Sequence, residues 1–313
     1  MEKNMSLDPV LQQLLDQLPS VPPGPIDHPL LRQQSAAMIP LIIGAEGLAE
    51  IAGVEELEIT NGDAAVPMRI YRPVGPSRGT LHYIHGGGWA LGDLAAVDHS
   101  ARLLCRDMSM VVVTSSYRLA PENPFPAAFD DSLAAANWVS ANRARLGGED
   151  SPAVIGGDSA GGNLAAAICI AMRDSTASLR PFDVQLLLYP AVDLRPDADY
   201  PSRRCDADPT LTTASLQTCI NDYLAGADPA DPRASPLAAW SLAMLPPALI
   251  AVLAVDPLRD EAIRYADRLR GDGVPVEVME FDNLTHGFVH LAGIVPAAAT
   301  ATGEVVARLL TRL

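Results

Sequence analysis

The sequence predicts an α/β fold, with a mostly parallel sheet of eight strands and helices on both of its faces. Short, almost wholly apolar runs such as residues 81–84 and Val111–Ser115 alternate along the chain with stretches of helical periodicity. Strands that are apolar on both sides are typical of parallel sheets buried on both faces. The chain has 313 residues, 49% of them hydrophobic and 19% charged, so it is long and apolar enough to bury such a core.

Residues 1–53 differ from the rest because no pattern in them indicates a strand. An amphipathic stretch over residues 8–18 precedes the breaker-rich sequence PSVPPGPIDHP, and a second helical stretch covers residues 30–50. From Val54, the sequences VEELEIT and VPMRIYRP alternate apolar and polar residues on either side of NGDAA. This pattern predicts a hairpin that adds an antiparallel edge to the sheet.

The other six strands follow in alternation with helices. The predicted strands are residues 81–84, Val111–Ser115, 153–155, Val184–Leu188, 249–254 and 276–280. The predicted helices are residues 100–107, 127–142, 161–173, 260–270 and 297–310.

One interval, residues 196–232, interrupts this alternation. It is rich in Asp, Pro and Ala and has a helix-like centre at residues 212–224. A structureless loop of that length is unusual in a compact domain, so we expect a helical insertion that packs with the N-terminal helices as a cap. The predicted organisation is therefore N-terminal cap helices (1–53), a first part of the core (54–195), a cap insertion (196–232) and a second part of the core (233–313).

Charge and cysteine content limit the classes of partner. The formal net charge of -16 would repel nucleic acid and anionic membranes, so neither is expected as a partner. The N-terminus lacks the basic start and apolar run of a signal peptide, and no apolar run reaches the roughly 20 residues of a membrane span, so we expect a cytoplasmic protein. The four cysteines lack CxxC pairing and metal-site spacing, which predicts buried thiols in a reducing compartment and no metal.

The sequence AVIGGDSAGGNLAAAI contains a G-x-S-x-G pattern centred on Ser159. An apolar strand precedes it and a helix follows, which is the context of a nucleophile elbow, where the serine lies at the tip of a sharp turn. The N-terminus of the following helix favours negative charge that develops near the serine. The alternative, a glycine-rich turn with an incidental serine, does not explain this flanking pattern.

A nucleophilic serine also needs oxyanion donors, and HGGGW at residues 85–89 is a candidate source. Three successive glycines leave backbone N–H groups open to close approach by a ligand. A merely flexible loop is the alternative. A phosphate-binding loop is excluded because its lysine and spacing are absent.

In a fold of this kind the acid and the histidine follow the serine in sequence. Only His286 and His290 come after Ser159; His286 lies in a loop after the last strand, whereas His290 is expected on a helix surface. Asp256 stands at the end of an apolar strand, where a side chain faces the site of an open α/β sheet. Asp260 and Glu261 are expected to be ordinary partners of a helix N-terminus. The sequence thus predicts Ser159, Asp256 and His286 as a catalytic triad.

The chain resembles the bacterial hormone-sensitive-lipase-like carboxylesterases (family IV) of the α/β-hydrolase fold, from about residue 54 onward. The motifs that carry the likeness, in order, are HGGGW, YRLAPENPFPAAFDD, GDSAGG, LPPALI, DPLRDE and HGF. The resemblance implies an oxyanion hole formed by the N–H groups of Gly87, Gly88 and Ala160, and a helical cap. It also implies that His85 anchors the glycine loop. Many such proteins dimerise, although no feature of this sequence requires a homodimer.

The expected function is hydrolysis of short- to medium-chain acyl esters through an acyl-enzyme, with a small-molecule ester as partner and no cofactor. An amide or formamide hydrolase, such as an arylformamidase, would use the same elbow and glycine loop. A non-catalytic receptor, for which the plant gibberellin receptor is the precedent, would be expected to lose a triad member. The sequence departs from the resembling family at Ala262, where glycine is common, and at Gln217, Thr218 and Cys219, where relatives tend to have aromatic side chains. The smaller side chains predict a wider cleft.

Overall fold

The computed structural model describes residues 6–17, 27–45, 47–175 and 182–313, and one sheet of eight strands lies in this part of the chain. The strands are β1 Gly53–Asn61, β2 Ala64–Arg72, β3 Thr80–Ile84, β4 Val111–Ser115, β5 Ala153–Asp158, β6 Val184–Leu188, β7 Ala248–Leu253 and β8 Val276–Phe281. The helices are α1 Pro9–Leu15, α2 His28–Ile43, α3 Asp98–Met108, α4 Ala127–Ala141, α5 Ala160–Asp174, α6 Pro201–Cys205, α7 Thr213–Leu224, α8 Arg259–Gly271 and α9 Pro296–Leu310.

The order of strands in the sheet is β1-β2-β4-β3-β5-β6-β7-β8. The β1–β2 hairpin and the β2–β4 pair are antiparallel, and all pairs from β4 to β8 are parallel. The predicted mostly parallel sheet with an antiparallel opening hairpin is therefore confirmed. Because β4 lies on one side of β3 and β5 on the other, the winding direction reverses between β3 and β5. Ligands of open α/β sheets bind at the carboxyl ends of the strands at such a point.

Strands β3 to β7 are buried along their whole length, as their apolar sequences predict. The core consists of two hydrophobic clusters, one containing Leu164 of α5 and Tyr265 of α8, the other containing Leu104 of α3 and Val305 of α9. Helices thus cover both faces of the sheet, and the loops that connect strands and helices lie at the ends of the strands.

The N-terminal helices form where predicted but end earlier. Asp8 caps α1 by accepting hydrogen bonds from the N–H groups of Val10 and Leu11. The second helix ends at Ile43 rather than at residue 50, because Gly44 adopts φ +76° and a Cβ there would overlap the carbonyl oxygen of Gly293. Most of the breaker-rich sequence lies in residues 18–26, which are outside the described residues. Glu46, which belongs to the predicted second helix, is also outside them.

The mid-chain segment, residues 196–232, contains α6 and α7, and Thr212 caps α7 by accepting from Ser215 N–H, close to the predicted helical centre. His28 Nε2 at the start of α2 lies 2.9 Å from Asp222 Oδ2 on α7. The ring of Tyr223 on α7 stacks on Trp89 with centroids 4.4 Å apart. Helix α2 and the mid-chain segment therefore meet each other beside the glycine loop.

In the described part of the chain, none of the helices has both the length and the apolar composition that crossing a membrane requires. All four cysteines are free; Cys105 and Cys169 are buried and Cys219 is partly buried. The prediction of a buried thiol is wrong for Cys205, which is exposed at the end of the short helix α6, a helix with no buried residue.

Candidate active site

Ser159 occupies the turn between β5 and α5. Its backbone has φ 54° and ψ -119°, a combination that residues with a side chain rarely adopt and that strained functional turns retain. The turn is held because Ser159 N–H donates to Leu188 O over 2.9 Å. A Cβ on Gly161 would overlap the carbonyl oxygen of Ile84 at the end of β3, so only glycine lets α5 approach that strand.

Three side chains from different strand ends form a hydrogen-bonded relay. Nε2 of His286 lies 2.8 Å from Oγ of Ser159, and Nδ1 of the same ring lies 2.7 Å from Oδ2 of Asp256. Asp256 is fully buried, and its other oxygen accepts the N–H of Leu258 over 2.8 Å. An ionised Asp256 accepts a hydrogen bond from Nδ1–H, which leaves Nε2 without a proton and able to accept the Ser159 hydroxyl proton. The structure thus brings together the three residues predicted as a triad.

The protonation of His286 reflects two opposed effects. Burial of the ring disfavours the imidazolium and lowers its pKa, but the Asp256 carboxylate, followed by the charges of Asp208 and Asp158, outweighs burial and raises the pKa above its ordinary value. The arrangement therefore favours positive charge on this imidazole when it accepts a proton.

The glycine loop follows β3 and lies beside Ser159. Gly87 and Gly88 have φ +114° and +59°, and a Cβ on Gly87 would overlap the carbonyl oxygen of Leu91. In the described part of the chain, no acceptor is found for the N–H groups of Gly87, Gly88 and Ala160. These are the N–H groups expected to bind an oxyanion, and they are available for that purpose.

The side chains of His85 and Tyr117 hold the glycine loop in place from the core side. The His85 ring stacks on Tyr117 with centroids 4.3 Å apart, and its Nδ1 lies 2.8 Å from the carbonyl oxygen of Gly86. The Tyr117 hydroxyl donates to His85 O over 3.0 Å. His85 therefore contacts the loop itself and not Ser159, as the resemblance implied.

Asp158, the first of the two variable residues of G-x-S-x-G, connects the glycine loop to the loop that carries His290, and it was not identified from the sequence. Oδ1 accepts the N–H of Gly86 over 3.0 Å and the hydroxyl of Tyr83 over 2.9 Å, and Oδ2 lies 2.9 Å from Nε2 of His290. The expectation of a helix-surface role for His290 is wrong, because the chain turns inward after Gly287 in a short 3₁₀ helix, Phe288–Leu291. The position of Asp158 inside the motif was the one signal that could have pointed to it.

The mid-chain segment also reaches the site, through Asp208 and Thr210. Asp208 Oδ2 accepts the backbone N–H of His286 over 2.6 Å, and the Thr210 hydroxyl lies 3.1 Å from the carbonyl oxygen of His286. Nothing in the sequence marks these residues, since they belong to an irregular stretch without a motif.

No group of three or more metal-ligating side chains was found among the residues that the structure describes. The buried charges of the site are instead matched among themselves: Asp256 with His286, and Asp158 with His290. The arrangement is suited to activating a hydroxyl oxygen and to receiving negative charge at backbone N–H groups.

Comparisons with known proteins identify the family and the fold. Residues 81–290 match a family model described as the alpha/beta hydrolase fold. The chain is 41% identical over 266 residues to the carboxylic ester hydrolase LipN of Mycobacterium tuberculosis, covering 83% of this chain and 70% of the relative. It is 38% identical over 310 residues to the carboxylesterase NlhH of the same organism, covering 97% and 95% of the two chains. A hyperthermophilic esterase from Pyrobaculum calidifontis superimposes with a TM-score of 0.87 at 35% identity, covering 97% of each chain.

The Asp158–His290 pair predicts a pH-dependent contribution to stability. Burial raises the pKa of Asp158, but His290 and the hydrogen bonds outweigh it and hold the pKa below its usual range, so this contribution is lost as pH falls through that range. Burial lowers the pKa of His290, but Asp158 outweighs it and raises the pKa, so this contribution is present below about pH 6.5 and lost at higher pH. We expect Asp158→Asn to lower the free energy of unfolding by about 2 kcal/mol or more at pH 6, and by less at pH 9.

Urea unfolding at the two pH values measures this difference. Asp107→Asn is the control, because the ion pair of Asp107 with Arg106 is exposed and should contribute less than about 1 kcal/mol. An effect of Asp158→Asn that is equal at pH 6 and pH 9 would contradict the role given to His290.

Proposed function

The chain belongs to the hormone-sensitive-lipase-like family of the α/β-hydrolase fold, and on that premise we propose that it is a carboxylesterase in which Ser159, His286 and Asp256 form the catalytic triad. The observation that carries the proposal is the continuous relay from Ser159 Oγ through both ring nitrogens of His286 to the buried Asp256. The esterases to which the chain is similar support the reaction class.

The first chemical step is acylation of the serine. His286 Nε2 removes the hydroxyl proton as Ser159 Oγ forms a bond to the ester carbonyl carbon, and the electron pair of the carbonyl moves to its oxygen. The N–H groups of Gly87, Gly88 and Ala160 stabilise that oxyanion. His286 then gives its proton to the departing alcohol as the ester C–O bond breaks, which leaves an acyl-enzyme.

In the second step, water is the nucleophile and Ser159 Oγ is the leaving group. His286 removes a proton from water, whose oxygen attacks the acyl carbon, and the same proton returns to Ser159 Oγ when the acid leaves. Asp256 remains ionised throughout, holding the ring in one tautomer and stabilising its positive charge. The chain's own groups thus account for every proton that moves.

We propose that residues 1–53 and 196–232 form a cap over a core of residues 54–195 and 233–313. The contacts of His28 with Asp222 and of Trp89 with Tyr223 support this division, since they join the two segments beside the glycine loop. On α7, a Cβ added to Gly88 would lie 2.7 Å from Cys219 Sγ, so a small side chain sets the space above the loop. The substrates that we propose are short- to medium-chain acyl esters.

The alternatives make different demands on the same site. An amide or formamide hydrolase would turn over a matched anilide as readily as the ester, and a side-by-side assay separates the two. A non-catalytic receptor does not require the relay, and here its members lie within hydrogen-bonding distance. Cytoplasmic residence is also a proposal, supported by the four free thiols. A homodimer stays a prediction, for which light scattering is the direct measurement.

Replacing the nucleophile is the first test of the proposed reaction. Ser159→Ala should remove nearly all turnover of p-nitrophenyl acetate, because the acyl-enzyme can no longer form, while the circular dichroism spectrum is retained. Turnover at the wild-type rate by the folded variant would contradict the assignment.

Replacing the acid tests the relay. Asp256→Asn should lower kcat by about 10⁴-fold, since the amide donates where Nδ1 also donates and favours the wrong tautomer. Asp260→Asn, four residues further along, is the control; its carboxylate accepts the N–H of Ser202 and has no hydrogen bond to His286. Equal activity of the two variants in a p-nitrophenyl ester assay would place the acid elsewhere.

The cap predicts a dependence on acyl length. Cys219→Phe should lower kcat/KM for p-nitrophenyl octanoate at least about 10-fold more than for the acetate, because the larger ring fills space beside Gly88. Gln217→Phe places the same ring at an exposed position of α7 and should leave the ratio unchanged. If the ratio of kcat/KM for the octanoate to that for the acetate changed equally in Cys219→Phe and Gln217→Phe, the length selectivity would not arise at Cys219.

A further inference from the structure

Asp208 is a buried carboxylate contributed by the mid-chain segment, outside the triad. It is 1% exposed and lies between α6 and α7. Oδ1 accepts the N–H and the hydroxyl of Thr210 over 2.8 and 2.6 Å, and Oδ2 accepts the N–H of His286 over 2.6 Å. Burial raises the pKa of Asp208 above its usual value, and the hydrogen bonds from Thr210 and His286, which favour the ionised carboxylate, oppose that rise.

The hydrogen bond from His286 to Asp208 is made by the backbone N–H, so it fixes the position of the backbone from which the imidazole ring extends. His286 lies in the loop after β8, and its ring must meet Asp256 at one nitrogen and Ser159 at the other. Such a bridge is sensitive to small displacements of the loop. Thr210 approaches the same residue from its carbonyl side, so Asp208 and Thr210 together bracket the His286 backbone.

We propose that Asp208 is a positioning residue of the reaction: its carboxylate holds the His286 backbone in register with Ser159 and Asp256 and adds negative charge beside the imidazolium. The inference rests on the proposed function. It gives the cap a part in assembling the base, in addition to covering the substrate.

Several charged and titratable groups from different elements surround the His286 ring, so the effect of Asp208 must be separated from theirs. They are Asp256 after β7, Asp158 at the end of β5, His290 on the 3₁₀ helix and Tyr189 after β6, whose ring packs edge-on at 4.7 Å. Burial lowers the pKa of His286 and the carboxylates raise it, Asp256 most and Asp208 next. Removing the charge of Asp208 alone should therefore lower the pKa of His286.

The test is Asp208→Asn, compared with Asp206→Asn. Asn has the size of Asp, but it carries no charge. Thr210 and His286 donate to different oxygens of Asp208, and Asn has only one side-chain oxygen, so it can accept on one side but not on the other. Asp206 lies in the same segment and is exposed, and within the described residues its carboxylate accepts the N–H of Thr213 alone. We expect Asp208→Asn to lower kcat for p-nitrophenyl acetate about 10-fold or more with little change in KM, and Asp206→Asn to match the wild type.

The pH profile separates positioning from a general loss of folded protein. His286 acts as a base when neutral, so the acid limb of kcat/KM follows its pKa. The limb should move to lower pH in Asp208→Asn and stay in place in Asp206→Asn. A variant that merely unfolded in part would lose amplitude at an unchanged limb. An unmoved limb with wild-type kcat in Asp208→Asn overturns the inference while leaving the esterase assignment intact, whereas activity in Ser159→Ala overturns the assignment itself.

Thr210→Val provides a second variant if Asp208→Asn does not fold. Thr210 is exposed, so the substitution is compatible with folding and removes only the hydroxyl between Asp208 and the His286 carbonyl. A fall in kcat of about 3-fold or more at constant KM supports the bracket. An unchanged kcat contradicts it.

Discussion

The buried carboxylate of Asp158 is the contact on which the geometry of the site depends. It closes the gap between β5 and the glycine loop after β3, by accepting the N–H of Gly86, and it reaches the histidine loop through His290. Each of these segments comes from a different part of the chain, and an error of about 1 Å in its position relative to Ser159 is enough to slow a reaction of the proposed kind. Asp158 is adjacent to Ser159 and forms hydrogen bonds to both of the other loops. This one side chain therefore sets their positions relative to Ser159 more directly than a contact between any two loops would.

Such an organiser is possible only because of the sheet topology. The reversal of winding between β3 and β5 places two strand ends side by side, and the absence of a side chain at Gly161 lets α5 approach close enough for the loops to meet. A buried carboxylate is costly unless it is matched, and here a protonated imidazole and two neutral donors match it. The same reasoning applies to Asp256, which is fully buried and faces His286. Each buried carboxylate of the site is thus paired with a histidine, and His286 becomes a cation only when it accepts a proton.

The sequence was sufficient for the parts of the site that lie at regular positions. Ser159 and Asp256 stand at the ends of apolar strands, where the periodicity of the chain locates them, and His286 followed from the order of the triad. The roles of His290 and Asp208 could not be obtained in this way. The inward turn after Gly287 and the loop between α6 and α7 are set by tertiary contacts, and no local pattern of residues reports them. The end of α2 was missed for a related reason, because Gly44 is confined by the distant carbonyl of Gly293.

The mid-chain segment contacts the core at buried points that each lie next to a catalytic loop. Tyr223 stacks on Trp89 of the glycine loop, Asp208 bonds to the histidine loop, and Arg203 on α6 forms an ion pair with the fully buried Glu261 just beyond Asp256. Of the α7 residues that depart from the family pattern, Gln217 and Thr218 are at exposed or partly exposed positions, whereas Cys219 lies beside Gly88 of the glycine loop. On the proposed function, acyl length is therefore selected at Cys219, and the exposed positions of α7 can change without disturbing the contacts that hold His286. In the proposed cap, a few buried residues contact the loops of the site, and the rest of the surface of the segment is free to vary.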